Sequence, residues 1–186
     1  MSCDVLVIPE DPTYNGAILK PLVSRILEDC GRPRANVAVL ANPKVAGFEH
    51  AVAMLPRVIE RYAHLNLLLL LVDADGKDRA ASFQNLEVEA AERNSRLICC
   101  AAKEEVEAWL LAGHLSKLDR PWADVRMDVS VKENVFQPFL EKYGDRRRPG
   151  GGRDLLIKEA LMNYQGLLQR CPELQQLRDR IYQTLY

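Results

Sequence analysis

Four short apolar runs punctuate the first hundred residues, and each gives way to a segment whose apolar positions recur every three to four residues. The run "CDVLVIP" is β-branched and brief. It precedes "TYNGAILKPLVSRILEDCG", where Ile18, Leu22 and Ile26 share a helical face and Gly31 supplies a C-cap. "ANVAVLA" and "GFEHAVAMLPRVIERYAH" repeat the pairing, with Pro56 expected to kink or bound the helix. "LNLLLLLVDAD" then leads to "AASFQNLEVEAAERN", and "SRLICCA" to "KEEVEAWLLAGHL". Strand and helix alternating in this way predict an α/β fold: a mostly parallel four-stranded sheet with helices on both faces. The run Leu65 to Val72 lacks apolar/polar alternation, which marks a central strand covered on both sides.

Past His114 the pattern changes. "SKLDRPWADVRMDVS" reads as loop, "VKENVFQPFLEKYG" as a helix broken near Pro138, and "DRRRPGGGRD" as a flexible basic loop. "DLLIKEALMNYQGLLQRC" and "PELQQLRDRIYQTLY" read as two closing helices. The expected organisation is an α/β core over residues 1–118 and a helical extension over 119–186 packed on the same domain. Leu174, Leu177, Ile181 and Leu185 form the apolar face of the last helix, expected to cover the domain's own core, with a homodimer as its other use.

The length of 186 residues suits one ordinary domain, and apolar and charged contents of 48% and 27% are globular values. A net charge of -1 announces no nucleic-acid partner, so any basic surface must be local. Five cysteines without a C-x-x-C spacing, and an N-terminus without a basic segment and long apolar run, lead us to expect a reducing, cytoplasmic setting. The greasiest run is far shorter than a membrane span. Three scattered histidines argue against zinc, and the absence of a G-x-x-x-x-G-K-[ST] motif argues against ATP hydrolysis through a P-loop.

The acidic residues are placed more suggestively. In an open parallel sheet, ligands bind beyond the carboxyl ends of the strands. Glu10 ends the first predicted strand, Asp73 and Asp75 the third, and Glu104, Glu105 and Glu107 follow the fourth. Residues two apart on a strand point to the same side, so Asp73 and Asp75 are expected to aim at one point, with Gly76 permitting a tight exit. On the fourth predicted helix, Glu104 and Glu107 begin a stripe that continues through Ala108, Leu111 and Leu115, an odd setting for solvated glutamates. Taken singly, a D-x-D is ordinary turn chemistry, and glutamates in a first helical turn are favoured by the helix dipole. Gathered at one sheet edge, such carboxylates raise one another's pKa and call for a neutralising cation. Oxygen ligands favour Mg²⁺ or Mn²⁺.

With these residues in place, the chain resembles the Toprim superfamily over about residues 3–115. The resemblance is carried by Glu10 in "VIPEDPTYNGAILKPLV" and by Asp73 and Asp75 in "LVDADGKD". "AAKEEVEAWLLAG" is similar to an acidic helix start of OLD-type nucleases and small stand-alone bacterial relatives, some of them in phage defence. The resemblance implies a Rossmann-like fold and metal-assisted phosphoryl transfer. Asp73 and Asp75 would hold the metal, Glu10 would act as base or second-metal ligand, and Glu104 or Glu105 would complete the site with Glu107. Relatives usually follow the first glutamate with glycine; here Asp11 stands in that place, where it either joins the site or crowds it.

Basic residues suggest how a substrate would be held. Arg146, Arg147, Arg148 and Arg153 surround a glycine-rich turn that opens a helix, an arrangement suited to the phosphates of nucleic acid, DNA before RNA. Lys158, one turn on, is a candidate to stabilise a leaving group at the scissile phosphate, and Lys77 and Arg79 are weaker candidates of the same kind. The leading expectation is a small metal-dependent nuclease in phage defence or DNA repair. The alternative is a non-catalytic module that binds nucleic acid or a partner ATPase. A haloacid-dehalogenase-like phosphatase is disfavoured, because the D-x-D follows the third strand and the downstream threonine is missing.

Overall fold

The computed structural model describes residues 3–186. Its centre is a four-stranded, all-parallel sheet in the order β2-β1-β3-β4, formed by β1 (Asp4–Pro9), β2 (Asn36–Val39), β3 (Leu67–Asp73) and β4 (Leu97–Ala102). In register, Val7 pairs with Val39 and Leu69, and Asp73 pairs with Ala102, so β1, β3 and β4 deliver their carboxyl ends to the same edge.

Alternation along the strands divides the core in two. Val5, Val7, Leu67, Leu69, Leu71 and Ile98 face one side, while Leu6, Ile8, Leu68, Leu70, Val72 and Leu97 face the other. The second side is covered by α2 (Phe48–Tyr62) and α3 (Ala80–Glu92). On the first side lie α1 (Asn15–Asp29), α4 (Glu107–Leu111), α5 (Trp122–Met127), α6 (Gln137–Tyr143), α7 (Arg153–Ala160), α8 (Tyr164–Arg170) and α9 (Pro172–Leu185). Strand β3 therefore meets hydrocarbon on both faces, the physical reason for its unbroken leucines.

The C-terminal helices share the first core: Val125, Phe136, Leu156, Leu167, Leu174, Leu177 and Ile181 belong to the same cluster as the sheet residues. The apolar face of α9 is spent there. Several local expectations shift: the segment read as loop carries α5, and the segment read as the first closing helix divides into α7 and α8 around a 3-10 turn, Leu161–Asn163. Helix α2 continues across Pro56 without a break. The segment before Pro138 is a π-helical turn, Lys132–Phe136, that runs directly into α6, so the chain is not broken there. The fourth helix begins only at Glu107. All five cysteines are free, and no described helix is long and apolar enough to cross a membrane.

Candidate metal centre

Three carboxylates meet beyond the sheet edge. One oxygen from each of Asp73, Glu105 and Glu107 lies within 4.8 Å of the others. Asp73 is the last residue of β3 and is buried; its Oδ1 accepts a 2.7 Å hydrogen bond from the Val106 N–H. That bond ties the end of β3 to the turn after β4 and fixes Glu105 and Glu107 on either side of Val106. Glu10, just past the end of β1, stands outside this triad and is tied to it through its Oε1, which accepts the Asp73 N–H at 3.2 Å.

The loops around the cluster are conformationally unusual. Asp75 and Glu104 both have positive φ, 51° and 62°, which non-glycine residues rarely adopt, and the Asp75 N–H donates to the Glu104 carbonyl at 3.3 Å. Such outliers concentrate at functional sites. The strand has ended before Asp75, so strand alternation does not govern its direction. Its carboxylate is exposed and pairs with Arg79 at 3.1 Å. Arg79 is itself buried, donates through Nε to the Asp73 carbonyl at 2.9 Å and lies over the Phe48 ring. Asp75 thus sits on the rim, adding negative charge felt by Glu10 and Glu105. Glu104 precedes α4 and stands outside the triad, although its Oε2 is buried without a hydrogen-bond partner.

Glu107 is the most exceptional member. It is 0% exposed, and neither carboxylate oxygen has a hydrogen-bond partner among the described residues. The nearby cations are Lys132, whose Nζ is 3.6 Å from Oε1, and Arg153, at 3.9 Å. Lys132 approaches Glu105 more closely, at 3.2 Å. Nothing in the local sequence of Lys132 signals this role; the π-helical turn carries it across to the sheet edge.

Crowding of acids shows in their protonation. Burial, then the negative charge of Glu105, pushes the Asp73 carboxyl up to about 8, and the charges of Glu107 and Glu10 act in the same direction against the Val106 N–H. Burial likewise raises Glu10 and Glu105 above the usual carboxylate range. For Lys132, burial favours the neutral amine, but the charges of Glu107, Glu105 and Asp73 outweigh it and hold the ammonium charged. Ionisation of all three clustered acids would set three negative charges against Lys132 and Arg153.

The basic residues divide. Arg153 is buried, donates to the Gly150 carbonyl at 2.8 Å and lies over the rings of Tyr14 and Phe136. Arg146 is exposed and lines, with Arg153 and Lys132, a cleft of about 530 Å³. Arg147 and Arg148 are exposed and pair with Asp145 and Asp154. Lys158 is exposed in a separate groove with Ser24, Arg25 and Glu28, and does not reach the acidic cluster. Lys77 is also exposed. Asp11 acts locally, its Oδ1 accepting the N–H groups of Thr13 and Tyr14 and so shaping the entry to α1, while the residue also borders the cleft.

Close packing holds α7 near this edge. A Cβ on Gly113 would lie 2.3 Å from the Ala160 Cβ, so only glycine lets the chain after α4 touch α7. Compared with protein-family models, curated proteins and solved structures, the chain has no match. What stands is an α/β fold with a four-stranded parallel sheet and a buried Asp73, Glu105 and Glu107 cluster able to hold a metal ion.

Proposed function

We propose that Asp73, Glu105 and Glu107, with Glu10 beside them, hold Mg²⁺ or Mn²⁺, and that the protein is a small Toprim-type nuclease acting on nucleic acid. The observation that carries this reading is Glu107, a carboxylate without solvent and without hydrogen bonds, turned into a group of other carboxylates. Buried charge of that kind is costly unless something else satisfies it. An all-oxygen donor set matches a hard divalent cation, and carboxylate crowding is relieved when one binds.

A cation held there would stabilise negative charge developing on phosphate oxygens and lower the pKa of water bound to it. The chain's own groups supply the rest. Lys132, Arg153 and Arg146 line the adjoining cleft and favour an anionic backbone. We assign the proton-acceptor role to Glu10, supported by its raised carboxyl and its hydrogen bond from the Asp73 N–H. Outside the cleft, Arg147 and Arg148 are paired with Asp145 and Asp154, so an anionic backbone would have to compete for them.

One observation favours a second reading. Lys132 already pairs with Glu105 and Glu107, so an internally neutralised, non-catalytic module that binds nucleic acid or a partner ATPase is the alternative. Cleavage assays on supercoiled plasmid, single-stranded DNA and RNA separate the two. Metal-dependent cutting that disappears in Asp73→Asn and Glu107→Gln supports the nuclease. Absence of cutting with every substrate, in a protein that still retains nucleic acid, supports the module.

A further inference from the structure

Lys132 occupies an unusual position for a lysine: 34% exposed, with its Nζ 3.2 Å from Glu105 and 3.6 Å from Glu107. It bridges two of the three clustered carboxylates, yet does not complete them, because Glu107 keeps both oxygens without a hydrogen bond. Its ammonium and a divalent cation would seek the same oxygens and repel each other at that range. The side chain also has somewhere to go, since Lys132 borders the cleft shared with Asp11, Tyr14, Arg146 and Arg153.

We propose that Lys132 is a resident counter-ion that a divalent cation displaces from Glu105 and Glu107, freeing its ammonium for an anionic oxygen in the cleft. This rests on the metal reading of the same cluster. Apo stability and substrate charge are then handled by one side chain: it neutralises the acids while metal is absent and turns to the substrate once metal is present. The same displacement makes the metal compete with a tethered cation, which weakens metal affinity.

Calorimetric titration of the full chain with Mn²⁺ tests this. Wild type should bind, Glu107→Gln should not, and Lys132→Gln should bind about tenfold more tightly, while Lys132→Arg, which keeps the competing charge, should stay near wild type. Equal affinities in wild type and Lys132→Gln overturn the displacement and leave the metal reading standing. Absence of Mn²⁺ binding by wild type overturns both. A second measurement needs no substitution: on addition of Mg²⁺, the Lys132 ammonium resonance should move and that of Lys158 should not. An unmoved Lys132 signal at saturating Mg²⁺ contradicts the proposal.

Discussion

Glu173, in the first turn of α9, and Glu107, in the first turn of α4, are both acids withdrawn from water, with side-chain exposures of 16% and 0%. Glu173 accepts two hydrogen bonds from Arg126, at 2.8 and 2.9 Å, and one from the Trp109 indole at 2.9 Å. Burial pushes its carboxyl up, but the Arg126 and Trp109 bonds outweigh that and hold it below the usual range. Glu107 lies two residues from Trp109 on the same short helix, and its side-chain oxygens have no hydrogen-bond partner among the described residues. The same fold closes one buried carboxylate completely and leaves its neighbour open. Glu173 is what a structural acid looks like in this protein, and the open valences of Glu107 set it apart as a member of a cluster that could hold a metal ion.

Breaking the closed side should have the largest effect. Arg126→Ala strands Glu173 as an uncompensated, largely buried charge and should cost about 3 kcal/mol or more in urea denaturation. Glu107→Gln removes charge from an overcrowded centre, so its metal-free stability should change by less than about 1 kcal/mol. A loss from Glu107→Gln as large as that from Arg126→Ala would erase the distinction.

Metal addition should sharpen the contrast next. At a Mn²⁺ concentration about 100 times the dissociation constant, wild type should gain about 2.7 kcal/mol, and Glu107→Gln should gain nothing. Overpacking the helix contact comes after this: Gly113→Ala should cost about 1–3 kcal/mol and weaken Mn²⁺ binding by parting α4 from α7.

The pH dependence carries a definite sign. Asp73 is raised in the folded chain to about 8, so between about 4 and about 8 the folded state holds a proton that the unfolded state has lost. The contribution of Asp73 to metal-free stability should therefore be greatest below that window and fall as pH rises through it. Saturating Mg²⁺ should flatten or reverse the slope, because it favours the ionised carboxylate. Denaturation curves across this range, with Asp73→Asn as the variant lacking that slope, check the expectation. At the small end, Arg147→Ala should leave the melting temperature unchanged, as its pair with Asp145 is exposed.

The fold was legible because the signals that encode it are local. Unbroken leucines mark a strand buried on both faces, and helical spacing after each strand gives the crossover. Glu10 and Asp73 could be placed at the sheet edge because a strand end is visible where hydrocarbon stops. Asp75 escaped the same logic because the strand stops short of it and its own backbone turns left-handed, so the period of two no longer applies. The start of α4 was a matter of a few residues, enough to exchange Glu104 for Glu105 as the partner of Glu107. Lys132 was not legible: it is remote in sequence from Glu107, in a segment whose pattern indicates only a helix. Its partners are set by the packing of the C-terminal region on the sheet.

The most direct test of the open acidic centre is equilibrium dialysis of the full chain against Mn²⁺, wild type beside a folded Glu107→Gln. Saturable binding in wild type that Glu107→Gln abolishes is the expected result. Binding that survives the substitution, or wild type that takes up no Mn²⁺, would contradict an open metal centre at Glu107.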